Sequence, residues 1–315
     1  MDVKSIIIDC DTGVDDALAL LLALRSPALS VRGITTVSGN VTLDKVVPNT
    51  LRVVEHAGRH TPVYAGAAES LLGRTITAEM IHGSDGLGDL DYPPPTTTPH
   101  KTHAVDFLID TYLNDKNPPH LVTLGPLTNL ALALQREPVL EERIPSLLMM
   151  AGGVTGGNES AAAEFNIAVD PEAADIVMRS GIPKVMVPLE PIFQGGGILA
   201  EDVAKLETVG TPWADMAGRL FRFQLNMWAM IIGSETPASP PDLAAMAVMI
   251  DPTLAQLESY YVAVELKGEH TRGMTVVDRR WYRAMAGAPA DNVQVAMTMD
   301  NDRYRKLVVD ILRSA

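Results

Sequence analysis

The length, composition and charge of this 315-residue chain exclude several classes of protein. Hydrophobic residues make up 47% of the chain, so it can bury a large core. The net charge of -14 argues against nucleic acid or an anionic membrane as partner, because such binding depends on Lys and Arg. The chain starts without the pattern of a signal peptide and lacks an apolar run of ~18 residues. We therefore expect a cytoplasmic protein whose partner is a small molecule.

The first predicted elements are a buried strand and an apolar helix. The run Ser5 to Ile8 is typical of a buried parallel strand, and Ala17 to Leu24 of a helix. Four aspartates lie between them: Asp9, Asp11, Asp15 and Asp16. A helix N-terminus stabilises each carboxylate by only ~0.3–1 kcal/mol, whereas Ca²⁺ and Mg²⁺ prefer oxygen ligands. The loop therefore predicts a divalent cation site, with a solvated acidic capping loop as the alternative.

Cys10 is the one cysteine of the chain. It excludes an internal disulfide and a zinc site with several cysteines. Because it lies at the end of the first predicted strand, we expect a buried thiol with a structural role.

Strand-like runs recur along the chain: Val31 to Val37, His120 to Leu124, Ser146 to Met150 and Lys184 to Pro188. Their alternation with helical segments predicts an α/β fold with a mainly parallel central sheet flanked by helices. Polar or glycine-rich loops follow several of these strands: residues 38–40, 125–129 and 151–153. In a parallel sheet these loops lie at the same edge as the aspartate loop, so one site is assembled from distant segments.

The C-terminal third has a different pattern. Short antiparallel strands are predicted at Ser259 to Leu266, Gly273 to Val277 and Val293 to Met299, and a last helix at Asp302 to Leu312. The composition shows no linker, so we expect one domain over residues 1–315. Two segments rich in Pro, Gly or Thr, Thr75 to Pro99 and Gly233 to Pro241, are predicted loops, and loops of this length are often lids.

A second polar cluster, residues 156–167, contains Asn158, Glu164 and Asn166. These side chains offer fixed donors and acceptors to a polyhydroxylated ligand such as a sugar. Three further motifs accompany it: Asp11-Thr12-Gly13-Val14-Asp15-Asp16, Thr36-Val37-Ser38-Gly39-Asn40 and Leu124-Gly125-Pro126-Leu127-Thr128-Asn129. In this order and spacing, from about Ile6 to Pro252, the four motifs resemble those of the inosine–uridine preferring nucleoside hydrolase family.

The resemblance implies an activity, a cofactor and a set of site residues. The family hydrolyses the N-glycosidic bond of purine or pyrimidine ribonucleosides to ribose and free base, an activity of nucleoside salvage. The implied Ca²⁺ ligands are Asp11, Asp16, the carbonyl of Leu124 and Asp242. Asp11 also matches the general base that deprotonates a calcium-bound water, and Asn40 a residue that orients this water. The implied ribose site consists of Asp15, Asn158, Glu164 and Asn166, with Met150 beside it. The resemblance further implies a homodimer or homotetramer.

The chain departs from the family pattern near the departing base. The family usually has His-Asp where this chain has Pro241 and Asp242, and this histidine is often the acid that protonates the base. His82 matches another family histidine near the base and has a side chain whose pKa lies near neutrality. Its alternative interpretation is an ordinary surface histidine. Smaller departures are Thr12 in place of a proline and the segment Glu190-Pro191-Ile192 in place of a threonine-containing one.

Aromatic stacking could also favour a protonated base. The candidates are Phe165, Phe221, Phe223, Trp228 and Tyr260. However, a stripe at helical spacing, Leu220, Phe223, Met227 and Met230, is typical of a core face, so we expect most of these aromatic residues to be packing residues.

One alternative is disfavoured and two stay open at this point. The pair Asp9 and Asp11 after an apolar strand resembles a haloacid-dehalogenase-type phosphatase, but Gly13 stands where that family has Thr or Val, which argues against this interpretation. Because Pro241 replaces the usual acid, the chain could be an inactive or weakly active nucleoside-binding homologue. It could also hydrolyse a modified riboside whose base needs no protonation.

Overall fold

An eight-stranded sheet forms the centre of the molecule, and helices cover both of its faces. The computed structural model describes residues 3–193, 197–233 and 236–314. The strands are β1 (Lys4–Cys10), β2 (Leu29–Thr36), β3 (Val63–Ala65), β4 (His120–Thr123), β5 (Leu147–Met150), β6 (Lys184–Val187), β7 (Ala255–Tyr260), β8 (Val262–Val264), β9 (Thr275–Val277) and β10 (Val293–Met299).

Thirteen helices connect and cover these strands within the described ranges. They are α1 (Val14–Arg25), α2 (Leu43–His56), α3 (Glu79–His82), α4 (Ala104–Asn114), α5 (Thr128–Arg136), α6 (Leu140–Arg143), α7 (Phe165–Val169), α8 (Pro171–Arg179), α9 (Glu190–Phe193), α10 (Ala200–Glu207), α11 (Pro212–Ile232), α12 (Pro241–Ile250) and α13 (Asn301–Arg313). None of them is both long and apolar enough to cross a bilayer.

The strand order of the large sheet is β3-β2-β1-β4-β5-β6-β10-β7. Neighbours from β3 to β10 run parallel, and β7 pairs antiparallel with β10 at the edge. The chain therefore builds outward from β1 in one direction and then returns to add β4 on the other side. This reversal between β1 and β4 creates a crevice at the carboxyl ends of the two strands.

The apolar run of β1 follows from burial on both faces of the sheet. Ile6 and Ile8 pack with α1, α2 and α12 on one face, whereas Ile7 packs with α4 and α5 on the other. All of these side chains are fully buried. Strands covered on both sides need no polar alternation, and this explains the continuous hydrophobic pattern.

Helices α1 and α12 are both buried and pack against each other. From Val14 to Leu24 and from Asp242 to Ile250, every residue is buried. A helix that is apolar around its whole circumference belongs in the interior. The N-termini of both helices lie at the candidate site, because Asp15 and Asp16 begin α1 and Asp242 begins α12.

The predicted α/β class with a mainly parallel sheet is confirmed, and the C-terminal strands differ in detail. The predicted strand Ser259 to Leu266 is divided, because β7 joins the large sheet while β8 pairs with β9 in a small antiparallel sheet. The predicted strand Val293 to Met299 lies parallel to β6 as well as antiparallel to β7. Strand direction depends on distant partners, which a local pattern does not record.

Candidate active site

A cavity of about 230 Å³ opens at the crevice between β1 and β4. Its wall contains nine of the eleven predicted site residues: Asp15, Asn40, His82, Leu124, Met150, Asn158, Glu164, Asn166 and Asp242. The other two, Asp11 and Asp16, are fully buried and accept hydrogen bonds from Asn40. The fold thus brings all of the predicted residues to one place.

Three buried carboxylates meet on one side of this cavity. Asp15, Asp16 and Asp242 each offer one oxygen, and the three atoms lie within 4.8 Å of one another. The first turns of α1 and α12 supply these groups, so two helix N-termini stabilise the negative charge. A donor set made only of oxygens is the kind that Ca²⁺ and Mg²⁺ prefer. Of the carboxylates that the family resemblance implies as metal ligands, this acidic cluster contains Asp16 and Asp242, and its third member is Asp15 rather than Asp11.

Burial and repulsion from neighbouring carboxylates raise the pKa values of Asp16 and Asp242. Burial first, and then the charge of Asp15, raise the pKa of Asp16 to about 7. Burial and the nearby aspartates hold the pKa of Asp242 well above its ordinary value. A hydrogen bond joins Asp16 and Asp242. A divalent cation fits here because its charge favours the ionised form of each carboxylate.

Asp11 is held by backbone groups rather than by a counter-charge. Its Oδ2 accepts the N–H of Asn40 at 2.7 Å, and its Oδ1 has no hydrogen-bond partner among the described residues. Burial and the charge of Asp16 hold its pKa well above the ordinary range. A Cβ at Gly39 would lie 2.0 Å from Oδ2, and one at Gly125 would lie 2.6 Å from Oδ1. Only glycine allows the backbone to approach the carboxylate so closely.

Glu164 lies across the cavity and caps helix α7. Its Oε1 accepts the N–H of Asn166 at 2.9 Å, and its Oε2 accepts the N–H groups of Gly152 and Ile167 at 2.9 and 3.3 Å. Burial raises the pKa of Glu164 to about 7, although these three hydrogen bonds oppose the shift. The carboxyl is therefore fixed in position and able to exist in either protonation state near neutrality.

Asn166 connects the two halves of the candidate site. Its Nδ2 donates to the carbonyls of Leu124 at 2.8 Å and Met150 at 3.1 Å. The Leu124 carbonyl is the predicted metal ligand that follows β4. Asn158 is fixed separately, since its Oδ1 accepts the N–H of Phe165 at 2.9 Å. The predicted sugar-binding residues thus lie together and are held in place by backbone hydrogen bonds.

His82 is buried in the cavity wall, so its interpretation as a surface histidine is wrong. Its Nδ1 accepts the N–H of Val14 at 3.1 Å, and the ring proton of the neutral form is therefore on Nε2. Burial lowers the pKa of His82, and the charge of Asp15, whose Oδ1 is 3.7 Å from Nδ1, opposes this shift. The ring is neutral at pH 7 and can donate a hydrogen bond from Nε2.

The remaining wall of the cavity is mainly apolar. Three wall residues were not predicted from the sequence: Phe193, Gln224 and Ser239. Gln224 is 7% exposed, and its Oε1 has no hydrogen-bond partner among the described residues. It lies four residues after Leu220 and three before Met227, so a glutamine within an apolar helical stripe was a usable signal. No pattern in the sequence around Phe193 indicated that this residue would border the cavity.

The aromatic candidates divide between the cavity and the core. Phe165 and Trp228 border the cavity. The other three pack elsewhere: Phe221, Phe223 and Tyr260. The predicted core stripe is wrong at Met230, which is 82% exposed. The last turns of α11 extend beyond the buried part of the molecule, and Met230 lies there beside a neighbouring groove.

Both predicted loops contribute to the cavity. The segment Thr75 to Pro99 contains helix α3 and supplies Ile81 and His82 to the wall. From the segment Gly233 to Pro241, the wall includes Ser239 and Pro241, the first residue of α12. Residues 234 and 235 of that loop lie outside the described residues.

Comparison with known proteins agrees with this architecture. Residues 6–306 match the model of the family described as inosine-uridine preferring nucleoside hydrolase. The chain is 39% identical over 277 residues to the pyrimidine-specific ribonucleoside hydrolase RihA of Photobacterium profundum, covering 88% of this chain and 89% of that protein. It is 35% identical to RihB of Shigella flexneri serotype 5b, a pyrimidine-specific ribonucleoside hydrolase, covering 99% of this chain and 98% of that protein.

Two solved structures have the same fold. The plant nucleoside hydrolase PpNRh1 superimposes with a TM-score of 0.90 at 30% identity, over 99% of both chains. A purine-preferring ribonucleoside hydrolase from Gardnerella vaginalis gives 0.88 at 31% identity, over 98% of both chains.

The chain belongs to the inosine-uridine preferring nucleoside hydrolase family. It is an enzyme, as its motifs predict, and the alternative of a haloacid-dehalogenase-type phosphatase is wrong.

Proposed function

We propose that this enzyme hydrolyses the N-glycosidic bond of purine or pyrimidine ribonucleosides to ribose and free base. The observation that carries the proposal is the buried Asp11 carboxylate, whose unpartnered Oδ1 lies beside the acidic cluster. Glu164 and Asn166 line the adjoining cavity, and their donors and acceptors suit the hydroxyl groups of a sugar. The relatives named above support the same class of substrate, since they are described as pyrimidine-specific or purine-preferring ribonucleoside hydrolases.

We propose Ca²⁺ as the resident metal, held by Asp11, Asp16, Asp242 and the Leu124 carbonyl. The acidic cluster fits a cation, because Asp11 and Asp15 each keep a buried carboxylate oxygen without a hydrogen-bond partner among the described residues. When bound, the cation lowers the pKa of a water molecule that it orients.

The side chains then have separate roles in the hydrolysis. Asp11 takes a proton from the attacking water as its oxygen bonds to the anomeric carbon, and Asn40 orients this water. Asp15, Asn158, Glu164 and Asn166 bind the ribose hydroxyls, and Met150 lies beside the ring. Their carboxylates stabilise the positive charge that develops on the sugar. The base departs with the electron pair of the C–N bond and then takes up a proton. His82 is the candidate donor in its protonated form, which returns to the neutral ring when it gives up a proton, whereas the neutral ring offers the departing base only a hydrogen bond from Nε2–H.

A second candidate function is hydrolysis of ribosides whose base leaves without protonation. It is favoured by Pro241, which borders the cavity and has no proton to donate, and by the neutral state of His82. In this case the cofactor and the ribose site are unchanged, and only the preferred base differs.

The proposed function is tested by turnover of uridine, cytidine, inosine and nitrophenyl riboside. We expect Asp11→Asn to lower kcat by about 10²–10⁴-fold while ribose still binds with an affinity near that of wild type. Asn166→Ala should weaken both turnover and ribose binding. Asp110→Asn, an exposed aspartate on α4, is the matched control and should behave as wild type.

Two outcomes contradict the assignment. Ribose binding without turnover of any of these substrates would indicate an inactive binding homologue. Equal effects of Asp11→Asn and Asn166→Ala on ribose affinity would contradict the separation of a general base from the sugar-binding groups.

We further propose a single domain over residues 1–315, a homodimer or homotetramer and a cytoplasmic location. Limited proteolysis, light scattering of the purified enzyme and cell fractionation test these three predictions in turn.

A further inference from the structure

We propose that Asn129 and Asp9 are positioning residues that fix the loops of the active site through a buried hydrogen-bond network. The proposal rests on the proposed function, because it concerns the same site. Asn129 ends the motif that follows β4, and Asp9 begins the acidic loop, yet neither side chain takes part in the chemistry described above.

Asn129 connects four segments that are far apart in the sequence. From the first turn of α5, its Nδ2 donates to Asp9 Oδ1 at 2.8 Å and to the Thr36 carbonyl at 2.9 Å. Its Oδ1 accepts the N–H of Ala67 at 2.9 Å. Asn129 and Asp9 are both fully buried. One amide side chain thus joins the carboxyl ends of β1 and β2 to α5 and to the segment after β3.

Each of these contacts involves a segment that leads into a loop with a predicted site residue. Asp9 is two residues before Asp11, and its carbonyl accepts the N–H of Leu124 at 2.8 Å. Ala67 donates its N–H to Asn129, and its carbonyl accepts the N–H of Ser38 at 2.9 Å. Ser38 is two residues before Asn40, whose N–H binds Asp11. A displacement of Asn129 would therefore reach the predicted base, the residue that orients water and the predicted metal-binding carbonyl.

The network has little freedom to rearrange. A Cβ at Gly66 would lie 2.3 Å from Asn129 Oδ1 and 2.4 Å from the Thr36 carbonyl oxygen. The backbone at Gly66 therefore packs tightly against the side-chain amide of Asn129. Thr35 Oγ1 donates to the same Asp9 oxygen at 2.5 Å. Because every polar atom of the Asn129 side chain is used, replacing the amide removes contacts that nearby groups do not restore.

The test compares Asn129→Asp with a matched control at Asn292. Asn129→Asp keeps the shape and the acceptor but removes both donors and places a second carboxyl against Asp9. Asn292 has the same kind of network far from the site: its Nδ2 donates to the Met178 and Val262 carbonyls, and its Oδ1 accepts the N–H of Val262. We expect Asn129→Asp to lower kcat by about 10- to 100-fold with KM changed less than about threefold. Asn292→Asp should lower Tm and leave kcat at the wild-type value.

Rescue distinguishes positioning from loss of stability. The exchange variant Asp9→Asn with Asn129→Asp restores one hydrogen bond in the reverse direction, and it should recover at least part of the lost kcat. Thr35→Val removes one donor to Asp9 without changing shape, and it provides a milder variant if Asn129→Asp does not fold. We expect Thr35→Val to lower kcat by about three- to tenfold. Values of kcat within twofold of wild type for the folded variants, together with a lower Tm, would overturn the proposal.

Crystal structures separate this proposal from the proposed function. If the wild-type enzyme cleaves no ribonucleoside, the proposed function fails, but the role of the network can still be tested. The test compares the positions of Asp11 and Asn40 in the wild type with their positions in Asn129→Asp or Thr35→Val. We expect the side chains of Asp11 and Asn40 to be displaced in either variant. Unchanged positions would overturn the positioning role whatever the substrate.

Discussion

Under the proposed function, two positions bear on protonation of the departing base: His82, and Pro241, which stands where the family usually has a histidine. His82 accepts a hydrogen bond from the backbone at Nδ1, so it is neutral and presents a single N–H at Nε2. Pro241 is the first residue of α12, where proline fits because that position needs no backbone donor. The helix start therefore tolerates proline, and the chemical cost of the change lies in the lost acid.

At the residue scale, we predict that the enzyme prefers activated leaving groups. The ratio of kcat/KM for uridine or inosine to that for nitrophenyl riboside should be low in wild type. Pro241→His should raise this ratio by about tenfold or more, because general acid catalysis contributes about 10²–10⁴-fold. His82→Ala should lower it. Steady-state kinetics of the three proteins measures the ratio.

An equal efficiency on natural and activated ribosides, unchanged by His82→Ala, would contradict this account. Neither position would then supply an acid that the reaction needs.

At the scale of elements, two helices and two loops converge on the carboxylates. The N-termini of α1 and α12 supply Asp15, Asp16 and Asp242. The loops after β2 and β4 press Gly39 and Gly125 against Asp11. The location of the predicted base is therefore set by backbone packing on two sides.

We predict that Gly39→Ala abolishes most of the activity at a modest cost in stability. The new Cβ would lie 2.0 Å from Asp11 Oδ2, so either the carboxylate or the loop must move. Overpacking of this kind costs about 1–3 kcal/mol, and a shift of the base by about 1 Å can lower kcat by about 10²-fold. Urea unfolding and steady-state kinetics measure the two effects.

Gly181→Ala is the matched control for this variant. Its Cβ would meet Glu141 Oε2 at 3.6 Å, an ordinary contact remote from the site. The control should remain within about 0.5 kcal/mol of wild type with full activity. Full activity of Gly39→Ala would show that Asp11 tolerates displacement and would contradict its assignment as the base.

At the scale of the whole molecule, buried carboxyl groups couple stability to pH, and the proposed metal site would couple it to a cation. Burial raises the pKa values of Asp16 and Glu164 to about 7, so the folded metal-free protein holds protons that the unfolded chain has released. These groups contribute stability below about pH 4, and this contribution is lost as pH rises toward 7. A cation bound at the proposed site would replace the proton of Asp16 and remove that part of the loss.

We therefore predict that Ca²⁺ stabilises the protein more at pH 8 than at pH 5. Calcium at 100 times its dissociation constant adds about 2.7 kcal/mol, which corresponds to a rise in Tm of roughly 5 °C for a chain of this size. Calorimetry with a chelator, and then with excess Ca²⁺ or Mg²⁺, measures the effect. Asp242→Ala should lose most of the response to Ca²⁺. A Tm independent of chelator and Ca²⁺ at both pH values would contradict a structural cation.

The sequence by itself determined the features that depend on neighbouring residues. The strand before Asp11 and the buried helix after Asp16 follow from local hydrophobic pattern, and the four motifs identified the family. The burial of Cys10, which contacts Thr12 and the Thr35 carbonyl, follows from its place at the end of β1. These properties depend on short-range periodicity and on spacing, which the sequence displays directly.

The tertiary structure decided everything that depends on contacts between distant segments. It placed Asp15 with Asp16 and Asp242, turned Gln224 into the cavity and left Met230 in solvent. It also divided the predicted strand from Ser259 to Leu266 between two sheets. Such outcomes depend on which elements pack together, and residues far apart in sequence that meet through this packing leave no common period in the chain.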